Sequence, residues 1–323
     1  MNAAVVNTFG APPRYASFAD PIAAEGEVIV SVSAVGLHRV VRSLADGSHY
    51  GSTDMLPLIP GVDGVGRLED GTRVYFGMSR PPFGTFAERS VTARSLCLPL
   101  PETLPEALDD ATIAAMMNPG MSSWAALGRA QFAPGESVLI LGATGVAGQL
   151  AVQVAKRLGA RRIVAAGRNP EVLEELKHHG ADAVISLNQG REALVSSFRG
   201  EFAKGGIDVV LDYVWGNPAE SVLEAISQKG LRHAASRMRF VQVGAGAGPT
   251  IALPAATLRS TGLELVGSGF GSVSIEKIFE AIADFLREAA KEPFRIKVST
   301  AHLRDVEAFW NVSEKGARLV FQP

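Results

Sequence analysis

The chain of 323 residues holds a single cysteine, Cys97. One cysteine excludes an intrachain disulfide and any Cys-rich zinc site, and it fits a reducing compartment. Net charge is scarce as well: 31 Lys and Arg stand against 33 Asp and Glu, a formal −2 at pH 7. That balance favours neither nucleic acid nor an acidic membrane surface as a partner. No uninterrupted apolar run is long enough to cross a bilayer. Met1 to Val6 lacks a basic region followed by a long apolar run, so no signal peptide is read and a cytoplasmic location is expected. Internal repeats and low-complexity segments are lacking too. What remains is 47% hydrophobic and 20% charged, the balance of a globular protein, on a chain too long for one ordinary core. Two domains are expected.

The stretch from Val138 to Ala160 organises the rest. The apolar run Val138–Leu141 meets the glycine-rich turn Gly142-Ala143-Thr144-Gly145-Val146-Ala147-Gly148, and a helix-period pattern follows at once. Strand, tight turn and helix in that order bring backbone N–H groups to a helix N-terminus, where a pyrophosphate is held without a basic side chain. Gly145 lets the phosphate approach the backbone, and Gly148 lets the helix pack on the strand. Ala143 stands where the first glycine of G-x-G-x-x-G falls. The motif alone is weak, and its strand-before, helix-after context is what supports it; a ligand-free βα loop is the plain alternative. The next strand ends Ala166-Gly167-Arg168-Asn169, with Arg168 twenty residues past Gly148. A carboxylate at this position would hold the ribose hydroxyls of NADH. A guanidinium grips a 2′-phosphate in two-point fashion, so NADPH is predicted over NADH, against the alternative of a solvated arginine.

Taken in order, residues 3 to 100 read as short strands between turns: Glu27–Val35, Gly61–Leu68, Thr72–Gly77 and Gly84–Val91, a mostly β lobe of barrel type. From Pro105 the pattern turns helical, with Leu108–Met117 interrupted at Pro119 and resuming at Ser122. After the glycine turn, strands at Arg162–Gly167, Asp182–Ser186, Ile207–Asp212, Phe240–Gly244 and Leu263–Gly267 alternate with helices, among them Pro170–His179. Such alternation implies a parallel sheet covered on both faces. Ser274–Ala290 reads as a helix, and Phe294–Val298 and Arg318–Phe321 as strands returning to the first lobe. The basic run Arg232, His233, Arg237 and Arg239 precedes a strand at the N-terminal edge of the sheet, away from the ligand end. It reads as a solvated loop rather than a phosphate or RNA site.

Together these stretches resemble the medium-chain dehydrogenase/reductase superfamily, and within it the zinc-independent quinone oxidoreductase branch. Val35-Gly36-Leu37-His38 is similar to the family's GxN segment, Leu58 to Gly66 to its PxIPGxExAG run, Phe83 to Glu88 to GTYAEY, and Gly142 to Gly148 to GAAGGVG. The resemblance implies an α/β protein: a GroES-like β-barrel catalytic domain, residues 1–120 and 271–323, plus a Rossmann doubly wound parallel sheet, residues 121–270, binding NADPH. It implies a site between them and a homodimer joined through the last Rossmann strand, Leu263–Gly267. No metal is expected, because a catalytic zinc needs three protein ligands and His38 is a lone candidate.

The implied activity is hydride transfer from NADPH to a small electrophilic acceptor, a quinone or an α,β-unsaturated carbonyl. In such a site the protein places the reactants and stabilises developing negative charge. His38 stands at the family's Asn position and Tyr50 at its Tyr position. Either is a candidate proton donor, and each reads equally as a structural residue. Ser122 aligns with the hydroxyl beside the nicotinamide, or is a plain helix cap. Val243, Gly244, Gly269 and Phe270 align with backbone at the carboxamide end. The expected cofactor contacts are therefore Ala143, Thr144, Gly145, Val146, Ala147, Gly148, Gly167, Arg168, Asn169, Val243, Gly244, Gly269 and Phe270. Two rivals stay open: a 2-enoyl thioester reductase, to which Asn118-Pro119 adds weight, and a non-catalytic NADPH-binding sensor or RNA-binding module, which the modest charge disfavours.

Overall fold

The computed structural model describes residues 1–227, 236–312 and 316–323. In chain order the first elements are β1 (Asn2–Val5), β2 (Arg14–Ser17), β3 (Glu27–Gly36), α1 (Arg39–Ala45), β4 (Asp63–Arg67), β5 (Arg73–Gly77), β6 (Arg89–Ala93) and β7 (Cys97–Pro99). Next come α2 (Asp110–Arg129), β8 (Ser137–Leu141), α3 (Val146–Arg157), β9 (Arg162–Gly167), α4 (Pro170–His178), β10 (Ala183–Ser186), α5 (Arg191–Ala203) and β11 (Val209–Asp212). The last are α6 (Gly216–Ile226), β12 (Arg237–Gln242), α7 (Ala255–Ser260), β13 (Gly262–Gly267), α8 (Ile275–Lys291), β14 (Lys297–His302), α9 (Val306–Phe309) and β15 (Ala317–Gln322). The chain divides into two compact units, Met1–Pro119 with Ile282–Pro323, and Gly120–Ala281. The second crossing falls inside α8, later than residue 270. An amphipathic helix that continues unbroken carries the chain from one unit into the other.

In the first unit the described strands form a mixed sheet in the order β14-β15-β3-β4-β5-β7, with β6 also paired to β3. The strand β15 returns from the C-terminal segment to lie antiparallel on β3, Val320 facing Gly36. Phe86, Trp310 and Phe321 meet in its core, with ring centroids 5.7 to 5.9 Å apart. Val30, Val35, Leu37, Val74 and Phe76 pack around them. Of the expected strand Gly84–Val91, regular strand begins only at Arg89; before it Ala87 makes an isolated antiparallel bridge to Ala3, and the backbones of Phe86 and Glu88 bond to Asn2, Ala4, Val32 and Pro60. Thr85 donates its hydroxyl to Asp63 O at 2.8 Å and Ser90 donates to Gly84 O at 2.9 Å. These side-chain bonds satisfy backbone groups that a ladder would otherwise take.

The second unit is a parallel sheet in the order β10-β9-β8-β11-β12-β13 among the described residues. Its central strands β8 and β11 are buried along their whole length, as apolar runs shielded on both faces must be. Leu139, Leu141, Val164, Phe198, Val210, Val222 and Phe240 form its core.

Two local expectations are corrected here. Pro119 does not interrupt α2, which runs unbroken from Asp110 to Arg129. A proline costs the helix one backbone hydrogen bond, and the buried turns on either side, Ile113–Met117 and Met121 to Leu127, outweigh it. The basic run is not a solvated loop where it is described. Strand β12 begins at Arg237, so Arg237 and Arg239 are strand residues; Arg237 pairs with Glu264 at 2.7 Å and Arg239 is buried against Glu136 at 2.6 Å. Arg239 shares a face of the strand with Arg237 but lies one pair deeper into the sheet, and its charge is retained there because a carboxylate and carbonyls meet it. Arg232 and His233 lie outside the described residues.

Candidate functional site

The glycine turn joins β8 to α3. Gly145 is exposed, and a Cβ built on it would meet only Gly142 O at 3.5 Å. A Cβ on Gly148 would stand 2.5 Å from Ala143 Cα. The turn is therefore open toward solvent and closed toward the strand. Gly145 caps α3 without a side-chain hydrogen bond. The first amides of a helix have no intrahelical partner and carry the positive end of its dipole. An open, uncapped helix N-terminus of this kind fits a diphosphate.

Beside it, Gly167 ends β9 and Arg168 follows. The Arg168 amide donates to Thr144 Oγ1 at 3.3 Å, and Asn188 Nδ2 donates to Arg168 O at 2.6 Å. Its side chain is exposed, and among the described residues the guanidinium has no partner. A guanidinium held by its backbone and left open at its tip suits a phosphate ester. Asn169 is committed elsewhere: its Oδ1 caps α4 by accepting from Glu171 and Val172 at 3.0 and 3.3 Å.

At the same end of the sheet, the Val243 and Gly244 amides donate to Asp212 O at 2.8 and 3.0 Å. The Ser268 amide donates to Gln242 O at 2.9 Å, and the Gly269 amide donates to Ser272 Oγ at 2.9 Å. Phe270 bridges to Val273. Ser122 lies on α2, where its side chain hydrogen-bonds the Tyr213 hydroxyl.

The remaining two candidates belong to the first unit. His38 is 2% exposed at the start of α1, with Nε2 3.4 Å from Asp63 Oδ1. The other oxygen of Asp63 accepts the hydroxyl of buried Tyr75. Burial, and then the Asp63 charge, raise the Tyr75 phenol well above its usual range, so it stays a donor. Tyr50, by contrast, is 74% exposed and leans on His49 with ring centroids 4.1 Å apart. Asp63, Tyr75, Asp212 and Tyr213 escape sequence reasoning as site residues. Each is one polar residue within, at an end of, or just past a strand, a signal that only its long-range partners make specific.

A doubly wound parallel sheet, whose first βα turn leaves an open helix N-terminus, defines a dinucleotide-binding α/β protein. Comparisons agree. The family described as zinc-binding dehydrogenase matches residues 146–288. A probable NADPH-dependent quinone reductase of Emericella nidulans is 29% identical, with all of both chains covered. The quinone oxidoreductase of Thermus thermophilus, solved alone and with NADPH, is 30% identical over all of both chains with a TM-score of 0.80. The chloroplastic NADPH-dependent alkenal/one oxidoreductase of Arabidopsis thaliana is 28% identical over 51% of this chain and 46% of its own. The chain belongs to the medium-chain dehydrogenase/reductase superfamily, as a quinone oxidoreductase-like member.

Zinc, which the matched family's description carries, does not fit the donors present. Among the described residues, no group of three or more His, Cys, Asp or Glu stands together. His38 and Asp63 make two, and Tyr75 donates its proton to the second. Three protein ligands are the catalytic minimum.

Proposed function

We propose that this protein is an NADPH-dependent oxidoreductase that reduces quinones or α,β-unsaturated carbonyls. One observation carries the reading: an open, uncapped helix N-terminus at Gly145–Gly148 flanked by the exposed guanidinium of Arg168. The names of the Emericella, Thermus and Arabidopsis relatives support it. When bound, NADPH supplies the hydride, chemistry that belongs to the cofactor. The backbone of Ala143, Thr144, Gly145, Val146, Ala147 and Gly148 would hold the diphosphate, and Gly167, Arg168 and Asn169 the 2′-phosphate end. Val243, Gly244, Gly269 and Phe270 would serve the carboxamide end, with Ser122 beside the ring. His38 or Tyr50 would hand the proton to the acceptor.

On this reading residues 1–120 and 271–323 supply the acceptor side and residues 121–270 the cofactor side. A homodimer through β13 is part of the proposal, supported by Leu265, 37% exposed on that edge strand; so is a cytoplasmic location. Among the described residues, no helix is long and apolar enough to cross a membrane.

The test is oxidation of NADPH by a panel of quinones, enones and enoyl thioesters, with and without a chelator. Turnover of quinones or enones that survives chelation is expected. Tight NADPH binding with no turnover across the panel overturns the enzyme reading in favour of a sensor.

A further inference from the structure

The strand order assigns the two halves of a dinucleotide to opposite sides of one turn. Strand β8 stands at the reversal: β9 and β10 run out on one side, β11, β12 and β13 on the other. Ligands of such sheets lie across that reversal, beyond the carboxyl ends of the strands. With the diphosphate cradle after β8 and Arg168 after β9, the adenosine half belongs on the β9 side. The nicotinamide half belongs over β11 and β12.

Tyr213 is the first residue past the end of β11. Its amide donates to Leu141 O at 3.1 Å, at the end of β8. Its carbonyl accepts from the Gly246 amide at 3.4 Å, after β12. The loop is fixed by Asp212, whose Oδ1 accepts from the Val214 and Trp215 amides at 2.8 and 2.9 Å. Those bonds hold Trp215 at φ 55° and ψ −155°, a positive-φ conformation that costs a non-glycine residue about 1–3 kcal/mol. A strained turn that persists is over-determined by its surroundings.

The Tyr213 side chain then reaches α2. Its hydroxyl is 2.9 Å from Ser123 Oγ and hydrogen-bonds Ser122 as well. Ser123 Oγ in turn stands 3.5 Å from Ala147 O, in the first turn of α3. One phenol therefore links the end of β11, the hydroxyls of α2 and the helix that carries the diphosphate cradle. Burial pushes this phenol up to about 12, more than the Ser123 and Ser122 hydroxyls lower it. A group so weakly acidic donates hydrogen bonds at neutral pH and is poorly matched to proton transfer.

We propose that Tyr213 is a positioning residue for the dihydronicotinamide half of the cofactor, acting by holding in place the α2 hydroxyls of Ser122, read above as lying beside the ring, and Ser123. The proposal rests on the NADPH reading above and adds a residue that reading does not use.

The test is Tyr213→Phe, which keeps the ring and removes the hydroxyl. Calorimetry on the full chain measures the dissociation constants of NADPH and of 2′-phospho-ADP-ribose, which lacks the nicotinamide. NADPH is expected to weaken about tenfold, the effect of losing one well-placed hydrogen bond. The 2′-phospho-ADP-ribose constant is expected to stay within about twofold. Equal weakening of both ligands, or no change in either, overturns the proposal. Should Tyr213→Phe fail to fold, Ser122→Ala must give the same selective loss, and its failure to do so overturns the proposal equally. A wild-type chain that binds neither ligand removes the NADPH reading itself, and this proposal with it.

Discussion

His38 Nε2 stands 3.4 Å from Asp63 Oδ1, while the opposite oxygen of that carboxylate accepts the Tyr75 hydroxyl. All three residues are buried. Among the described residues Asp63 Oδ1 accepts no hydrogen bond, so the Tyr75 hydroxyl is what compensates the burial of this carboxylate, and removing it leaves the desolvation penalty unmet. Tyr75→Phe is expected to lower stability by about 1–3 kcal/mol. Urea unfolding measures it, and an unchanged midpoint would show that Tyr75 is not holding Asp63.

Arg168 is expected to select the cofactor. A charge-assisted pair to a phosphate contributes about 1.5–3 kcal/mol, so Arg168→Ala should raise the NADPH KM between about ten- and a hundredfold. The NADH KM should move by about twofold at most, since no phosphate ester is there to lose its partner. Steady-state kinetics with both cofactors decide it, and equal effects would dismiss Arg168 as the selector.

Arg239 is expected to matter for stability alone. Its guanidinium donates to Glu136 Oε1 at 2.6 Å, to Ala130 O at 3.1 Å and to Asp208 O at 3.2 Å. Strand β12 carries it on the side of the sheet away from the glycine turn. Arg239→Met leaves Glu136 and two carbonyls without a cation and should cost about 3–5 kcal/mol. The NADPH KM of the folded fraction should be unaltered. A shifted KM with an unshifted unfolding curve would contradict this division of roles.

Asp212 is expected to make stability depend on pH. Burial raises its carboxyl to about 6, against the pull of the Trp215 and Val214 amides. A folded value above the unfolded one means the native state holds the proton more tightly. The stabilisation is then complete below about pH 4, the unfolded value, and is lost as pH rises through about 6. The loss amounts to about 3 kcal/mol. Asp212→Asn keeps the acceptor for both amides and removes the titration. The stability of the wild type relative to Asp212→Asn should fall between about pH 4 and about pH 7.5, and parallel curves would rule the effect out.

The amino-acid sequence by itself determined the parts of this protein whose physics is local. A glycine turn between an apolar run and a helical period, a strand followed by Arg168, and Pro170 opening α4 are all read from neighbours a few residues apart, and the parallel sheet follows from their alternation. Tertiary structure decided the rest. Helix α2 runs through Pro119 because buried turns on both sides outweigh one missing bond. Residues 84–88 stop short of a regular strand because their backbone bonds go to several distant segments at once, Asn2, Ala4, Val32 and Pro60. Arg239 turns inward because Glu136, 103 residues away in the chain, is there to meet it. The Asp63–Tyr75 and Ser123–Tyr213 pairs arise in the same way. A polar side chain's partner is set by where distant strands and helices arrive, and no spacing within the chain encodes that arrival on its own.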